Sequence, residues 1–388
     1  MVDVVIVGGG PAGSHTATRL ARQGFSVALC EEHTTVGEPV HCTGVLAKEA
    51  FDLIDLPAHT ILNSLSTVDF VAPSGQSFSY STEHIEALVI DRRAFDQDLA
   101  RRAEDAGVEM YRGERVLRIE PDAMGVTVAT ATREFRARAV VLACGVHYAF
   151  QQRLGLGLPT VFLHSAQLEV PAASPGDVEV YFGSRIAPRG FAWVVPVQRP
   201  SGSFARIGVM TAADAPRYFW EMVERVRARW QVRIDSDAEP HRRLLPLAAI
   251  RRTYANRVVV VGDAAGLVKP TTGGGIYYSL VSGEIAAEVL TDCLAVDRLD
   301  ATALAEYERR WRKRFKPEFD AQLALRMLAQ KLTDAEIDAL FDLVTTDGIM
   351  PIVRRSATFN RHRAFILDLL KHPPARRLLF RRLVGGTS

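Results

Sequence analysis

Two hydrophobic periods alternate in the first thirty residues. "VDVVIVG" (2–8) is an unbroken apolar run closed by glycine, the pattern of a strand covered on both faces. It passes into "PAGSHTATRLARQG" (11–24), where alanine and leucine recur at helical spacing until Gly24 stops the run. "FSVALCEE" (25–32) is short and apolar again, so a strand, a helix and a strand are predicted at the N-terminus. Downstream, "DRRAFDQDLARRAEDAG" (91–107) reads as an amphipathic helix and "RAVVLACG" (138–145) as another buried strand. The character changes between about 160 and 245. There "VEVYFG", "GFAWVVPV" and "FARIGVM" are β-rich runs separated by Pro, Gly and Ser turns, which predicts an antiparallel sheet. At "NRVVVVGDAAG" (256–266) strand, tight turn and helix return, and from about 301 the pattern is mainly helical.

Composition narrows the class. A chain of 388 residues, 48% hydrophobic, can bury one large core or two smaller ones. Forty-seven basic residues against 45 acidic leave +2, too little for polyanion binding to organise the molecule, and nucleic acid is not expected as a partner. The charge is uneven: from 301 onward 17 basic residues against 10 acidic give +7, leaving −5 for the rest. Cys30, Cys42, Cys144 and Cys293 form no C-x-x-C pair and lie far apart, which disfavours zinc or an iron–sulfur cluster, and no metal is expected. No basic n-region precedes the first strand, and no apolar stretch reaches the roughly 18 residues that span a bilayer. A cytoplasmic protein with reduced thiols is expected.

Two glycine turns carry the chemistry. Gly8-x-Gly10-x-x-Gly13, with Pro11 and Ala12 inside it, sits between strand and helix, where glycines permit a tight turn and close approach of a pyrophosphate to the helix N-terminus. Glu31, 18 residues after Gly13 at the end of the second strand, is placed to accept hydrogen bonds from ribose hydroxyls, and Glu32 follows it. The second turn, some 250 residues on, begins at Gly262 and Asp263. An acid there can hold ribityl hydroxyls, while Gly273, Gly274 and Gly275 open a helix at Ile276 whose amides can face the electron-rich ring of a reduced flavin. Lys269 stands between aiding that stabilisation and being a solvated loop lysine.

This pair of turns resembles the flavoprotein superfamily that includes p-hydroxybenzoate hydroxylase, which implies non-covalent FAD. "IDRRAFDQDLARRA" resembles its helix with a leading Asp-Arg, so Arg92 is either a cofactor contact or a surface arginine. Within the superfamily, three stretches resemble the geranylgeranyl reductase family, whose members saturate carbon–carbon double bonds in isoprenoid chains: "GEPVHCTGVL" (37–46), "PRGFAWVVP" (188–196) and "GDAAGLVKPTTGGGI" (262–276). The second is similar to a P-x-x-Y-x-W-x-F-P signature, with Phe191 in place of tyrosine and Val195 in place of phenylalanine. The resemblance covers roughly residues 1 to 315. The pattern along the chain predicts an α/β fold with an α+β second domain. The discontinuous Rossmann-like FAD-binding domain would comprise 1–67, 91–160 and 249–300. Residues 68–90 would be a sheet insertion joining an antiparallel-sheet substrate domain at 161–248, with 301–388 a helical, basic C-terminal region.

Strand alternation sends Phe191, Trp193 and Val195 to one face, suited to burying hydrocarbon at roughly 25 cal/mol per Å². Without the resemblance, a domain core is the better reading of that face. Residue type alone makes Cys42 a buried small hydrophobe. The resemblance instead implies a cysteine beside isoalloxazine and substrate, shaping the cavity or taking part in proton delivery, and His41 beside it is a proton carrier or a polar surface group. No second Gly-x-Gly-x-x-Gly is present, so a reduced donor such as NADPH or ferredoxin is expected to dock transiently. In "KHPPARRLLFRRLVGG", Leu379 and Leu383 fall one helical turn apart among Arg376, Arg377, Arg381 and Arg382. That segment either rests on the inner face of a membrane or packs on the catalytic domains. The rival enzyme class is an FAD-dependent monooxygenase or halogenase acting on an apolar or aromatic substrate; an electron-transfer flavoprotein reducing a quinone would usually need an iron–sulfur relay.

Overall fold

Val2–Val7 takes the centre of an eight-stranded sheet, parallel to Val27–Glu31 on one side and to Glu134–Leu142 on the other. Both of its faces are covered, and Val4, Val5, Ile6 and Val7 are at most 5% exposed. A central parallel strand has no solvent face, which is why its sequence reads as a run and not an alternation. Glu109–Arg112 continues the sheet beyond Val27–Glu31. Val258–Val260 and then Tyr254–Ala255 continue it beyond Glu134–Leu142, while Arg118–Pro121 and Val126–Ala129 attach to it as an antiparallel pair. The helix Pro11–Arg22 follows the first strand, with proline in its first turn, where a missing N–H costs nothing. It packs against the helix Ile276–Ala295, and Gly283 of the latter lies so close that a Cβ there would meet Thr16 Oγ1 at 2.5 Å.

The computed structural model describes residues 1–235, 237–346 and 348–384, without the side chains of 380–384, and the chain forms two compact units. The first consists of Met1–Val40, Asp91–Val161 and Pro246–Pro317; the second of His41–Ile90, Phe162–Leu245 and the chain from Glu318 onward. Residues 41–67, which the sequence pattern groups with the nucleotide-binding segments, thus lie in the second unit. Their strands explain it: Ile61–Leu65 pairs with Ala87–Ile90, and Thr67–Val71 pairs with Val178–Tyr181. Likewise the helix Ala301–Ala329 contributes to the first unit as far as Pro317, where Tyr307 donates to the Val260 carbonyl at 2.8 Å and Trp311 Nε1 to Thr253 Oγ1 at 2.9 Å.

The second unit is built on a seven-stranded sheet. Its order is His241–Pro246, Phe162–Pro171, Gly202–Thr211, Phe191–Arg199, Val178–Tyr181, Thr67–Val71 and Ser77–Ser81. One face is covered by the helix Ala215–Trp230, which lies inside the stretch read as strands. Phe219, Met222, Val223, Val226 and Trp230 recur at helical spacing and pack on Ala192, Val194, Ile207 and Val209. On the opposite face Val195 and Val197 pack against Val89 of a small three-stranded sheet formed by Val45–Ala47, Ala87–Ile90 and Ile61–Leu65. Asp334–Thr346, Ile349–Ser356, Arg363–Lys371 and Pro373–Val384 are helical. Glu318 caps Arg363–Lys371, accepting from the amides of His362 at 2.5 Å and Arg363 at 3.0 Å. No helix among the described residues is long and apolar enough to cross a membrane. The tail residues Arg381, Arg382 and Leu383 have side chains outside the described ones.

Candidate active site

In the first unit the glycine turn is shaped by close backbone approach. Gly8 has φ +106°, and a Cβ on it would meet the Ala143 carbonyl oxygen at 2.5 Å, so only glycine fits. Gly13 packs directly on the Gly8 carbonyl. Gly10, by contrast, faces open space, with nothing within 4 Å of where a Cβ would stand. It is the N-cap of Pro11–Arg22 and supplies no side chain to the free amides of the first turn. Glu31 closes the other side: its Oε2 accepts from the Gly9 amide at 2.7 Å, while its Oε1 meets both His33 N at 3.0 Å and His33 Nδ1 at 2.7 Å, which leaves acceptor capacity on Oε2. Glu32 is exposed and pairs with Arg115 at 3.5 Å.

The second turn is held from behind. Tyr148 donates to the Asp263 carbonyl at 2.8 Å, and Gln151 Nε2, on a fully buried side chain, donates to the Ala264 carbonyl at 2.9 Å. Gly262 packs on Ser279 and Ala12. A Cβ on Gly275 would meet Asp263 Oδ1 at 2.7 Å, so the carboxylate lies over the start of the helix that begins at Ile276. Lys269 is 4% exposed, with its stem against Gly274, and the Gly273 amide donates to the Lys269 carbonyl at 2.8 Å. The solvated-lysine reading is therefore corrected: the chain turns back on itself between 269 and 274 and covers the side chain. An open, uncapped helix start, an acid at the second strand's end and a carboxylate at the second turn together fit the phosphates, ribose and ribityl chain of FAD. Arg92 makes a bidentate pair with Asp96, Nη2 to Oδ2 at 2.9 Å, one turn along its own helix, whose N-cap Asp91 accepts from the Ala94 amide at 3.1 Å.

In the second unit strand register sets out a grid on one face of the large sheet. Gln167, Gly208 and Trp193 form one row across three adjacent strands; Glu169, Arg206 and Val195 form the next. Phe191 and Trp193 are half-buried, ring centroids 5.7 Å apart, and Phe182 continues the aromatic series 6.2 Å from Phe191. Val195 is 3% exposed and packed into the core with Val89. The segment containing Cys42 is fastened over this face: Thr43 Oγ1 donates to Gln167 Oε1 at 2.8 Å, and Arg206 Nη1 donates to the Thr43 carbonyl at 2.5 Å. Cys42 is half-buried and its Sγ accepts from the Gly44 amide at 3.3 Å. His41 stands edge-on to His241 with ring centroids 5.7 Å apart. Burial pushes the thiols of Cys30 to about 12 and Cys144 to about 11, which keeps both protonated and unreactive at neutral pH.

The model of the FAD binding domain matches residues 1–291. The digeranylgeranylglycerophospholipid reductase of Methanocaldococcus jannaschii is 30% identical over 364 residues, 89% of this chain and 92% of that protein. The chain belongs to this family of FAD-binding reductases. A geranylgeranyl bacteriochlorophyll reductase-like protein from Thermoplasma acidophilum shares the fold with a TM-score of 0.85 at 23% identity, over 99% of this chain and 98% of that one. A flavin-dependent brominase is more distant, with a TM-score of 0.68 at 16% identity over 97% and 99% of the two chains.

Sequence reasoning missed Thr43, Gln167, Glu169, Arg206 and Gly208 of this flavoprotein. A signal was present: in "FARIGVM" the positions alternating with the apolar Ala205, Ile207 and Val209 hold a charge and a glycine. An arginine and a glycine on the protected face of a central strand ask for a buried partner and a close neighbour.

Proposed function

We propose that this flavoprotein saturates carbon–carbon double bonds of a geranylgeranyl-type isoprenoid chain, with Phe191, Trp193 and the Cys42 segment lining the place where the alkene lies. The observation that supports this reading is the attachment of Thr43 to Gln167. That bond ties the segment of Cys42 to the sheet face that also carries the half-buried Trp193, within a single compact unit. Bound and reduced, FAD supplies the hydride. The residues of the chain do the rest: the aromatic face binds hydrocarbon and excludes water, while the Cys42 thiol shapes the cavity or gives its proton to the other alkene carbon and regains one through His41. Gly10, Glu31 and Asp263 would hold the pyrophosphate, ribose and ribityl chain. Electrons come from a transiently docked donor, NADPH or a ferredoxin.

The test is to reduce the FAD-loaded protein anaerobically, add geranylgeranyl-bearing lipids and follow product mass and flavin absorbance together. Added hydrogen with flavin reoxidation is the expected outcome. Reoxidation only on admitting air, with oxygen gained by the substrate or peroxide released, sinks the reading in favour of a monooxygenase. Leu379 is 5% exposed and so packs on the protein, while Arg376 and Arg377 are exposed; because such a lipid must be drawn from a bilayer, the basic segment from Lys371 onward is proposed to meet anionic headgroups at the cytoplasmic face through its charges. Flotation with anionic liposomes should then carry the full chain and leave a chain truncated before Lys371 behind; equal flotation would make the segment purely structural.

A further inference from the structure

We propose that Arg206 is a positioning residue that fixes the Cys42 segment against the sheet face carrying Trp193. The inference rests on the reading of Cys42 given above. Arg206 is 3% exposed in the middle of Gly202–Thr211, where a charge is costly unless its guanidinium is fully engaged. Its Nε donates to Glu169 Oε2 at 2.8 Å, across the sheet in register. Its Nη1 donates both to the Thr43 carbonyl at 2.5 Å and to the Ile90 carbonyl at 2.9 Å. Those two carbonyls belong to segments far apart in sequence, one directly after Cys42 and the other at the end of the central strand of the small sheet. The Ile90 amide in turn donates to the Gly44 carbonyl at 2.8 Å, so residues 43, 44 and 90 form one knot with Arg206 at its centre.

Stability alone does not call for this arrangement. A buried ion pair is commonly matched by a hydrophobic side chain of similar volume, and Val195, next to Arg206 in the grid, shows that the face accepts one. What a hydrophobic side chain cannot do is hold two backbone carbonyls at set directions. The planar guanidinium does so, and lysine, with a single rotatable ammonium, does not. Glu169 secures the other edge of the guanidinium and is itself secured by Arg199, whose Nη2 donates to Oε2 at 3.0 Å. Burial pushes the Glu169 carboxyl up, but hydrogen bonds and charge from Arg199 and Arg206 outweigh it and hold it below the usual range, so the clamp keeps its anion at neutral pH. Thr43 supplies an independent fastening through Gln167.

The experiment compares FAD-loaded wild type, Arg206→Lys and Thr43→Val. It measures kcat and KM for alkene reduction and the iodoacetamide alkylation rate of each cysteine by peptide mass mapping, with Cys30, Cys144 and Cys293 as internal references. Arg206→Lys is expected to lower kcat about tenfold or more with KM changed far less, as a misplaced reacting group does. It should also change the Cys42 alkylation rate several-fold while the three references stay fixed. Thr43→Val, which leaves every charge in place, should move the same two quantities in the same direction by less. If both variants leave the Cys42 rate unchanged, or all four cysteines change in step, the positioning role is overturned. If Arg206→Lys fails to retain FAD, Thr43→Val decides by the same criterion. A different result separates the two proposals: full reduction by Cys42→Ala, with Cys42 alkylation still altered in Arg206→Lys, removes the thiol from the chemistry and leaves Arg206 as what places its segment.

Discussion

Trp193 lies flat on Gly208, and a Cβ on that glycine would overlap the indole and meet its Nε1 at 2.7 Å. The close approach explains why a residue poor in strand propensity occupies the middle of a central strand. Gly208→Ala must therefore tilt Trp193 off the sheet, an overpacking change worth about 1–3 kcal/mol. Since Trp193 is half-buried on the proposed hydrocarbon face, the expected result is a KM for the isoprenoid raised about tenfold, the equivalent of about 1.4 kcal/mol of lost binding, with FAD content unchanged. Steady-state kinetics and the flavin-to-protein absorbance ratio check this. Unaltered KM with a shifted tryptophan emission would show that the indole moves without touching substrate. Alternation alone put Phe191, Trp193 and Val195 on one face. It did not show that Val195 is sealed under Val89, because burial by a neighbouring sheet depends on pairings made from residues more than 100 positions away.

At the level of elements, legibility followed the locality of the cause. The strand Val2–Val7, the helix Pro11–Arg22 and the glycine turn between them were readable because each is dictated by residues within a few positions: an apolar run, a proline in a first turn, a glycine at positive φ. The helix Arg92–Asp105 was readable for the same reason, its cap Asp91 lying directly before it. Ala215–Trp230 was hidden although its apolar spacing is helical. Arginine and glutamate fill the positions between, and its neighbours on both sides are strands, so context argued against the local period. The small sheet of Val45–Ala47, Ile61–Leu65 and Ala87–Ile90 was hidden more deeply. Its strands are three to five residues long, too short to show a period, and only their pairing makes them an element. That sheet covers Val195 and ends at Ile90, one of the two carbonyls Arg206 holds. Thus sequence reading supplied the candidate cofactor cradle of the first unit and the aromatic strand of the second, and the part it missed is what fastens the Cys42 segment to the sheet that carries that strand.

Across the whole molecule, charge is handled mainly by arginine, which outnumbers lysine 41 to 6 and pairs with the partly buried acids in fork-like contacts. Burial pushes the Asp98 and Glu169 carboxyls up, yet in each case two arginines outweigh it and the carboxyl ends below its usual range. A carboxylate whose folded value is depressed stabilises the fold fully above its unfolded value and loses that contribution as pH falls through the folded one. The thermal midpoint should accordingly stay level from about pH 7 to about pH 5 and drop as pH passes below about 4.5, where carboxylates in an unfolded chain begin to protonate. Glu169→Gln isolates one contributor. At pH 7 it leaves Arg206 buried beside a neutral amide, so its midpoint should lie about 1–3 °C below wild type, the effect of about 1–2 kcal/mol in a chain of this size. As the pH is lowered, wild type protonates Glu169 and loses what the variant never had, and the two curves should converge below about pH 4. Scanning calorimetry of both proteins from pH 7 down to about pH 3 decides it. Curves that stay parallel would mean that Glu169 holds no excess charge stabilisation, and that Arg206 is kept in place by its two backbone carbonyls alone.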